Sequence, residues 1–397
     1  MHILILPSEH VATTWSPLGG IFQLDLARAL VAKGHQVGIL SVGKFKGFKI
    51  ARRSKYVPSE VIDGINVFRK YIECPLPQRF DRFLLLGKIY SRIASRMFSA
   101  YVKEFGIPDV IHAHNFLYAG LIAAYLSKRA NIPFVVTEHS SEYYSSRMTG
   151  SVVARLSSVA SQASGISAVS SNFAGLLADT LMLDAALVKV TPNLLPVEFR
   201  DCFDRTERQD TRSEFDLLHV AELVPIKNQA MLLEAFSIAF KGASARLHIL
   251  GGGALSDALE KRAEELGVAA QVEFVGRVSR LGVREAMRSA SCFVLSSHSE
   301  TFGVVLIEAL SQGLPVISTS CGGPADIVND RNGILTHPGD TQGLASALRT
   351  MYENASLYDR EEIMRDCRTL YGEAAVVLKY LNLYRDAVAK FPSRLAS

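Results

Sequence analysis

Cysteine is scarce in this sequence and never locally paired. Five occur in 397 residues, at Cys74, Cys202, Cys292, Cys321 and Cys367, and none stands in a Cys-x-x-Cys pair. This excludes a disulfide framework or a cysteine zinc site as the organising device and suits reduced thiols in a cytosol. No apolar run approaches the ~20 residues that a membrane-crossing helix needs. The opening His-Ile-Leu-Ile-Leu-Pro is too short for the apolar region of a secretion signal and lacks a cleavage site, so it reads as a first strand. Low-complexity segments and repeats of solenoid period are both absent. The triplet Gly251–Gly253 lacks the spacing of a dinucleotide loop and reads as a tight turn or a phosphate-side loop. His112 and His114 lack the further ligands that zinc requires.

What is present is ample apolar material: 48% of residues are hydrophobic, 21% are charged, and mean hydropathy is +0.17. At this length two packed domains are expected. The net charge of +4 is unevenly spread, with 14 Lys and Arg against 4 Asp and Glu between Lys44 and Lys103. Such a block asks for an anionic partner or forms a solvated basic face. Aromatic residues are not interleaved with the basic ones, which disfavours nucleic acid. Residues Arg82–Lys103 have helical periodicity: Lys88, Arg92 and Arg96 form one basic ridge beside an apolar stripe of Phe83, Leu86, Tyr90, Ile93 and Met97. That stripe faces the core, or part of the helix, with Lys44–Lys55, meets anionic lipid head groups.

Short apolar runs alternate with amphipathic segments throughout. The first strand leads to a helical stretch ending at Gly34, then a strand at His35–Ser41, and further strands at 109–114, 133–139 and 165–170. The pattern restarts after Pro192–Pro196, with strands near 215–223, 245–250, 271–276, 291–297 and 314–319. Helices near Asn228–Phe240 and Leu255–Leu266 lie between them. Alternation of this kind makes parallel sheets. The expected fold is α/β, two doubly wound Rossmann-like domains facing a cleft. Residues 1–193 form the first and 194–373 the second, with a helix at about 374–397 packing back onto the first. Ligands of such sheets bind where the strands end.

Two carboxylates stand out after the strand near Leu295. Glu300 precedes Phe302-Gly303, and Glu308 lies within an apolar helix expected over Val304–Gln312, stopped by Gly313 and Pro315. A carboxylate among apolar neighbours is costly unless something hydrogen-bonds it. Two adjacent ribose hydroxyls would satisfy Glu308; a neighbouring arginine, or a turn toward solvent, would serve equally. Glu300 could accept from sugar hydroxyls, and amides near Gly303 could meet a diphosphate.

The stretch 299–328 (SETFGVVLIEALSQGLPVISTSCGGPADIV), with Asn332–Leu335, resembles the donor-binding signature of retaining glycosyltransferases of the GT-B fold. The resemblance is narrowest to the large family of mannosyltransferases and sucrose synthases, family 4. Segments 18–37, 109–120, 132–141, 191–193, 222–236 and 266–278 agree, and the opening and residues 137–141 resemble the branch that builds bacterial surface polysaccharides and glycolipids. The resemblance implies transfer of a sugar from a nucleoside-diphosphate sugar to a hydroxyl, with no metal and no cofactor. It places the protein in the cytoplasm or on the inner face of the membrane, with a glycan or glycolipid acceptor.

By position, the resemblance gives Glu308 the ribose. Glu300 holds the transferring sugar, with backbone of Phe302, Gly303, Val304 and Val305 beside it, and Lys227 neutralises the diphosphate. Gly19 and Gly20 let the first domain approach the phosphates, His139 sits over the sugar, and Arg277 and Val278 frame the base. No Asp-x-Asp-type acidic pair stands in a suitable loop, consistent with a metal-free site.

The pattern breaks at Ala221-Glu222-Leu223, where the family usually has Gly-Arg-Leu, and at Leu194, where it commonly has Gly. Glu222 reverses a phosphate-binding charge. It therefore turns away, pairs with a cation or contacts a sugar, or turnover is weak. A catalytically weak sugar-nucleotide-binding subunit and a nucleotide-sugar epimerase remain alternatives at this stage.

Overall fold

The structure is a computed structural model describing residues 1–7, 20–45, 57–73, 83–145, 148–200 and 215–391. Gly19, most of Lys44–Lys55 and two of the cysteines, Cys74 and Cys202, lie outside these residues. The chain divides into two units, Met1–Leu194 with Glu373–Ser397, and Leu195–Gly372.

Eight strands form the sheet of the first unit: β1 (His2–Leu6), β2 (Gln36–Phe45), β3 (Val57–Ile62), β4 (Ile65–Glu73), β5 (Val110–His114), β6 (Phe134–Glu138), β7 (Gly165–Ala168) and β8 (Val188–Val190). Their order is β3-β4-β2-β1-β5-β6-β7-β8. Every pairing is parallel except the β3–β4 hairpin. Its turn is Asp63-Gly64, both left-handed at φ 51° and 78°. The sequence carried this signal, since Asp-Gly between alternating apolar residues is a strong hairpin mark, yet the reading above has no strand there.

Strands β1 and β5 are buried along their whole length, as parallel strands covered on both faces must be. Helix Ile21–Ala32 packs there through Leu24, Ala27 and Leu30. The helix Glu373–Lys390 adds Val376, Val377, Tyr380, Leu383 and Tyr384 to the same core, and Leu194 joins it. Leu194, the residue in the usual glycine position, is thus a core side chain. The Tyr384 hydroxyl hydrogen-bonds His112 Nδ1 at 2.8 Å.

The helix with the basic ridge spans Phe83–Phe105. Its Tyr90, Met97 and Tyr101 are buried, while Lys88, Arg92 and Arg96 are exposed. Tyr101 packs against Gly38 of β2, where any Cβ would fall 2.2 Å from its hydroxyl oxygen. Of the predicted apolar stripe, Tyr90 and Met97 therefore face the core and Ile93 is half-buried; the Phe83 and Leu86 side chains lie outside the described residues.

The second unit holds six parallel strands: β9 (Phe215–Val220), β10 (Ala245–Leu250), β11 (Val272–Gly276), β12 (Cys292–Leu295), β13 (Val316–Thr319) and β14 (Gly333–Thr336). The order is β11-β10-β9-β12-β13-β14. The winding reverses between β9 and β12, which makes the strand ends there the crevice of a doubly wound sheet. Helices Gln229–Phe240 and Thr341–Asn354 cover one face through Leu232, Phe236, Leu344 and Leu348. Both units are thus Rossmann-like parallel-sheet folds.

Candidate functional site

The loops at the ends of β9, β10 and β11 interlock in the second unit. Gly251 N–H donates to the Gly276 carbonyl at 2.8 Å, and Leu255 N–H to Leu223 at 3.1 Å. A Cβ on Gly251 would meet Ala221 O at 1.8 Å, and one on Gly253 would meet Leu223 O at 2.3 Å. The triplet is therefore a close-approach turn packed on the backbone of residues 221–223.

The loop after β9 ends in a 3-10 turn, Pro225–Lys227, before Asn228 takes a left-handed conformation and the next helix begins. The loop after β12 is stitched to it. Ser296 Oγ donates to the Lys227 carbonyl at 2.9 Å, and His298 N–H to Ile226 at 2.8 Å. This brings Lys227 Nζ to 2.5 Å from Glu300 Oε1, and Ser297 Oγ donates to the same oxygen at 2.8 Å. Glu300 is fixed from the other side as well. Its N–H donates to Cys321 O, and Gly323 N–H donates to its carbonyl, both at 2.9 Å. Gly323 is required there, since a Cβ would lie 2.3 Å from Phe302 Cα.

Phe302 is buried, edge-on to Tyr371. Gly303, at φ 96°, begins the helix Val304–Leu310. That helix stops two residues short of the expected Gln312: residues 311–313 turn, and Gly313 at φ 68° closes them. Val304, Val305 and Glu308 form its half-buried stripe, whereas Leu306, Ile307, Ala309 and Leu310 are buried.

Glu308 Oε1 accepts from Arg280 Nη2 at 3.2 Å. Burial pushes its carboxyl up to about 7, with Arg280 opposing the shift and Glu198 adding to it. Of the ways to satisfy this acid, the fold uses a neighbouring arginine.

Glu222 and Arg277 make a loose surface pair, 3.9 Å apart with side chains 62% and 75% exposed, worth little by itself. The Arg277 side chain crosses Gly252, whose Cβ would lie 3.2 Å from it. Val278 is exposed beside it. Sequence reasoning missed Gln229, which is fully buried. Its Nε2 donates to the Glu222 carbonyl at 3.0 Å and lies 3.3 Å from His219 Nε2, tying down the loop that carries Glu222.

In the first unit, Gly20 sits at φ 62° directly before helix Ile21–Ala32. His139 follows β6. Its N–H donates to Asn115 Oδ1 at 3.0 Å, and its Nε2 is enclosed without a hydrogen-bond partner. Burial lowers the imidazole to about 4, so it is neutral at pH 7. Its neighbour Glu138 escaped the sequence reading altogether. This fully buried carboxylate accepts from the N–H groups of Phe116, His139 and Ser140 and from the Tyr143 hydroxyl. It thereby shapes the loops after β5 and β6.

Two Rossmann-like parallel-sheet domains are the architecture of the GT-B fold. Residues 20–199 match the family described as Glycosyltransferase Family 4, and residues 203–365 the family described as Glycosyl transferases group 1. The chain belongs to these glycosyltransferases.

Among its relatives is the putative teichuronic acid biosynthesis glycosyltransferase TuaC of Bacillus subtilis, 28% identical over 377 residues that cover 91% of each chain. Similar solved structures include sucrose-phosphate synthase from Thermosynechococcus elongatus, with TM-score 0.75, 21% identity and coverage of 98% of this chain and 100% of that one. Anabaena HepE in complex with UDP is another, with TM-score 0.70, 18% identity and coverage of 96% and 99%. No described helix is long and apolar enough to cross a membrane.

Proposed function

We propose that this glycosyltransferase is a retaining enzyme that moves a sugar from a nucleoside-diphosphate sugar to a hydroxyl of a surface-glycan or glycolipid precursor. The observation that carries the proposal is the pairing of Lys227 with Glu300, 73 residues apart in sequence, at the ends of the two strands flanking the switch point. Lys227 and Glu300 are partners of one another. With donor bound, Lys227 turns to the diphosphate and Glu300 accepts from the sugar's hydroxyls. Glu308 accepts from the ribose, Arg277 and Val278 frame the base, and the backbone of Phe302, Gly303 and Val304 lines the phosphate side.

The acceptor oxygen bonds to the anomeric carbon, the bond from that carbon to the diphosphate oxygen breaks, and the acceptor proton passes to the departing phosphate on the same face. Charge grows on the leaving oxygen, and a fixed cation is the stabilising device such chemistry needs. Lys227 supplies it, so activity persists in EDTA. The reading of the protein as a weak binding subunit rested on Glu222, which is mostly exposed and has Arg277 as its cation.

The partners of TuaC and HepE by their names, teichuronic acid synthesis and UDP, support a surface-polysaccharide acceptor and UDP-sugars as the first donors to try. A thermal-shift screen of UDP-, GDP- and ADP-sugars, followed by a transfer assay with the donor that binds, tests the proposal. Binding without transfer to any glycan acceptor would leave only the binding-subunit reading.

The exposed Lys88, Arg92 and Arg96 are the surface proposed to meet anionic lipid, by charge alone, since Tyr90 and Met97 on the same helix are buried. Co-sedimentation with phosphatidylserine vesicles should depend on these three residues, and binding unaltered by their neutralisation rejects this part.

A further inference from the structure

Two of the three arginines of helix Arg280–Ser289, Arg280 and Arg284, stand one turn apart and both reach the short turn Val197–Phe199. Arg284 Nη1 donates to the Glu198 carbonyl at 3.0 Å. Arg280 Nη1 stands 3.5 Å from the Glu198 carboxylate, while its Nη2 donates to Glu308 Oε1. One guanidinium therefore serves two carboxylates. The three side chains are a quarter exposed or less, at 21%, 25% and 12% for Arg280, Glu198 and Glu308. Arg280 Nη1 and Glu198 Oε2 are closed to solvent and have no hydrogen-bond partner, so that side of the triad is held by charge alone.

Resting on the reading that Glu308 takes the donor's ribose hydroxyls, we infer that Arg280 is a positioning residue for the donor. It keeps Glu308 an ionised acceptor, and Glu198 competes with Glu308 for its charge. A protonated carboxyl presents an O–H and loses acceptor capacity, so two ribose hydroxyls would find a poorer partner. The balance is delicate because burial alone drives Glu308 toward its neutral form and brings it to about 7 despite Arg280. Among the described residues, Arg280 and Glu198 are the charges that shift Glu308. Helix Arg360–Tyr371 turns Cys367 Sγ to the Ile307 carbonyl and Arg360 to the Gln312 carbonyl. Cys292 of β12 donates to its neighbour's carbonyl, and β13 has no titratable side chain. Arg284 is engaged by Glu285 and the Glu198 carbonyl.

The test is donor affinity against pH. UDP-glucose, GDP-mannose and ADP-glucose are each titrated by calorimetry across neutral pH; their diphosphates do not ionise there. Affinity of the unaltered protein should rise with pH through about 7, the value to which burial brings Glu308. Removing a cation at salt-bridge distance moves a carboxyl by about one unit or more, so Arg280→Gln should move that midpoint up, and Arg280→Lys should restore it. Glu198→Gln should move it down, by roughly half a unit, because a like charge is lost.

A protein whose role for Arg280 is purely structural loses affinity at every pH with the midpoint unmoved, and that result overturns the inference. If Arg280→Gln fails to fold by thermal unfolding, Glu198→Gln, which keeps the Arg280–Glu308 bond, decides alone: an unmoved or raised midpoint overturns it. Glu308→Gln separates the two readings. If it binds as the unaltered protein does, or none of the three donors binds at all, the ribose reading fails first. If it weakens binding while the other midpoints stay fixed, only the role of Arg280 falls.

Discussion

Replacing Lys227 with Met tests the site most directly. At ~4 Å and an effective dielectric of ~20, one lysine attracts one negative charge by roughly 4 kcal/mol before desolvation. The donor does not gain all of that. Lys227 Nζ already holds Glu300 Oε1 at 2.5 Å, with both side chains mostly buried, at 25% and 14% exposure. A diphosphate must displace that carboxylate, so only the difference between the two partners appears as affinity. A lost charge-assisted hydrogen bond is worth about 1.5–3 kcal/mol, and Lys227→Met should weaken UDP binding by that amount, some ten- to a hundred-fold.

The same exchange predicts an asymmetry. Glu300→Gln removes the competitor and frees the lysine, so UDP should bind at least as well as before, while sugar transfer falls by about a hundred-fold or more as the sugar's acceptor is lost. Calorimetry with UDP and a transfer assay on the same preparations read both. Equal losses of UDP affinity in the two variants would refute the idea that Lys227 exchanges Glu300 for the phosphates.

Other outcomes follow from the buried carboxylates. Glu308→Ala should weaken nucleotide binding by roughly 1.5–3 kcal/mol in calorimetry, since its charge-assisted bonds are lost; unchanged affinity removes the ribose role. Glu138→Ala strands the N–H groups of Phe116 and Ser140 in the interior, and should cost about 1–3 kcal/mol for each in a urea unfolding experiment. Burial raises Glu138 to about 7 from 4.5, so the folded state binds its proton more tightly than the unfolded state does. Its contribution is then full below about pH 4.5 and is lost as pH rises through about 7. At about 1.4 kcal/mol per unit this is a decline of about 3 kcal/mol. Urea midpoints measured on either side of that window should fall less in Glu138→Gln than in the unaltered protein; identical slopes would exclude Glu138 as the titrating group.

Much of this molecule was legible in one dimension because much of it is local. Apolar residues at helical spacing made Ile21–Ala32 a helix, short apolar runs made β1, β5 and β12 strands, and glycines at left-handed positions closed their turns. The same locality put Glu300, Phe302, Gly303 and Glu308 on one strand-to-helix connection, which is why their family signature could be read before any coordinates. Two local features were overlooked despite their signals: the hairpin at Asp63-Gly64, and β14 at Gly333–Thr336, where the motif was noticed but the strand was not.

The ionic state of the site belongs to a different kind of information. Which cation meets which carboxylate depends on side chains that packing brings within a few ångströms from distant parts of the chain, and Coulomb energy at such range outweighs any local preference. The sequence named Lys227, Glu300 and Glu308 but could not say that the first two hold each other, or that Glu308 leans on Arg280 and shares it with Glu198. Residue spacing thus laid out the alternating strands and helices, and a family resemblance pointed to the candidate residues. Burial and proximity, which only the folded chain possesses, decide which of them meet.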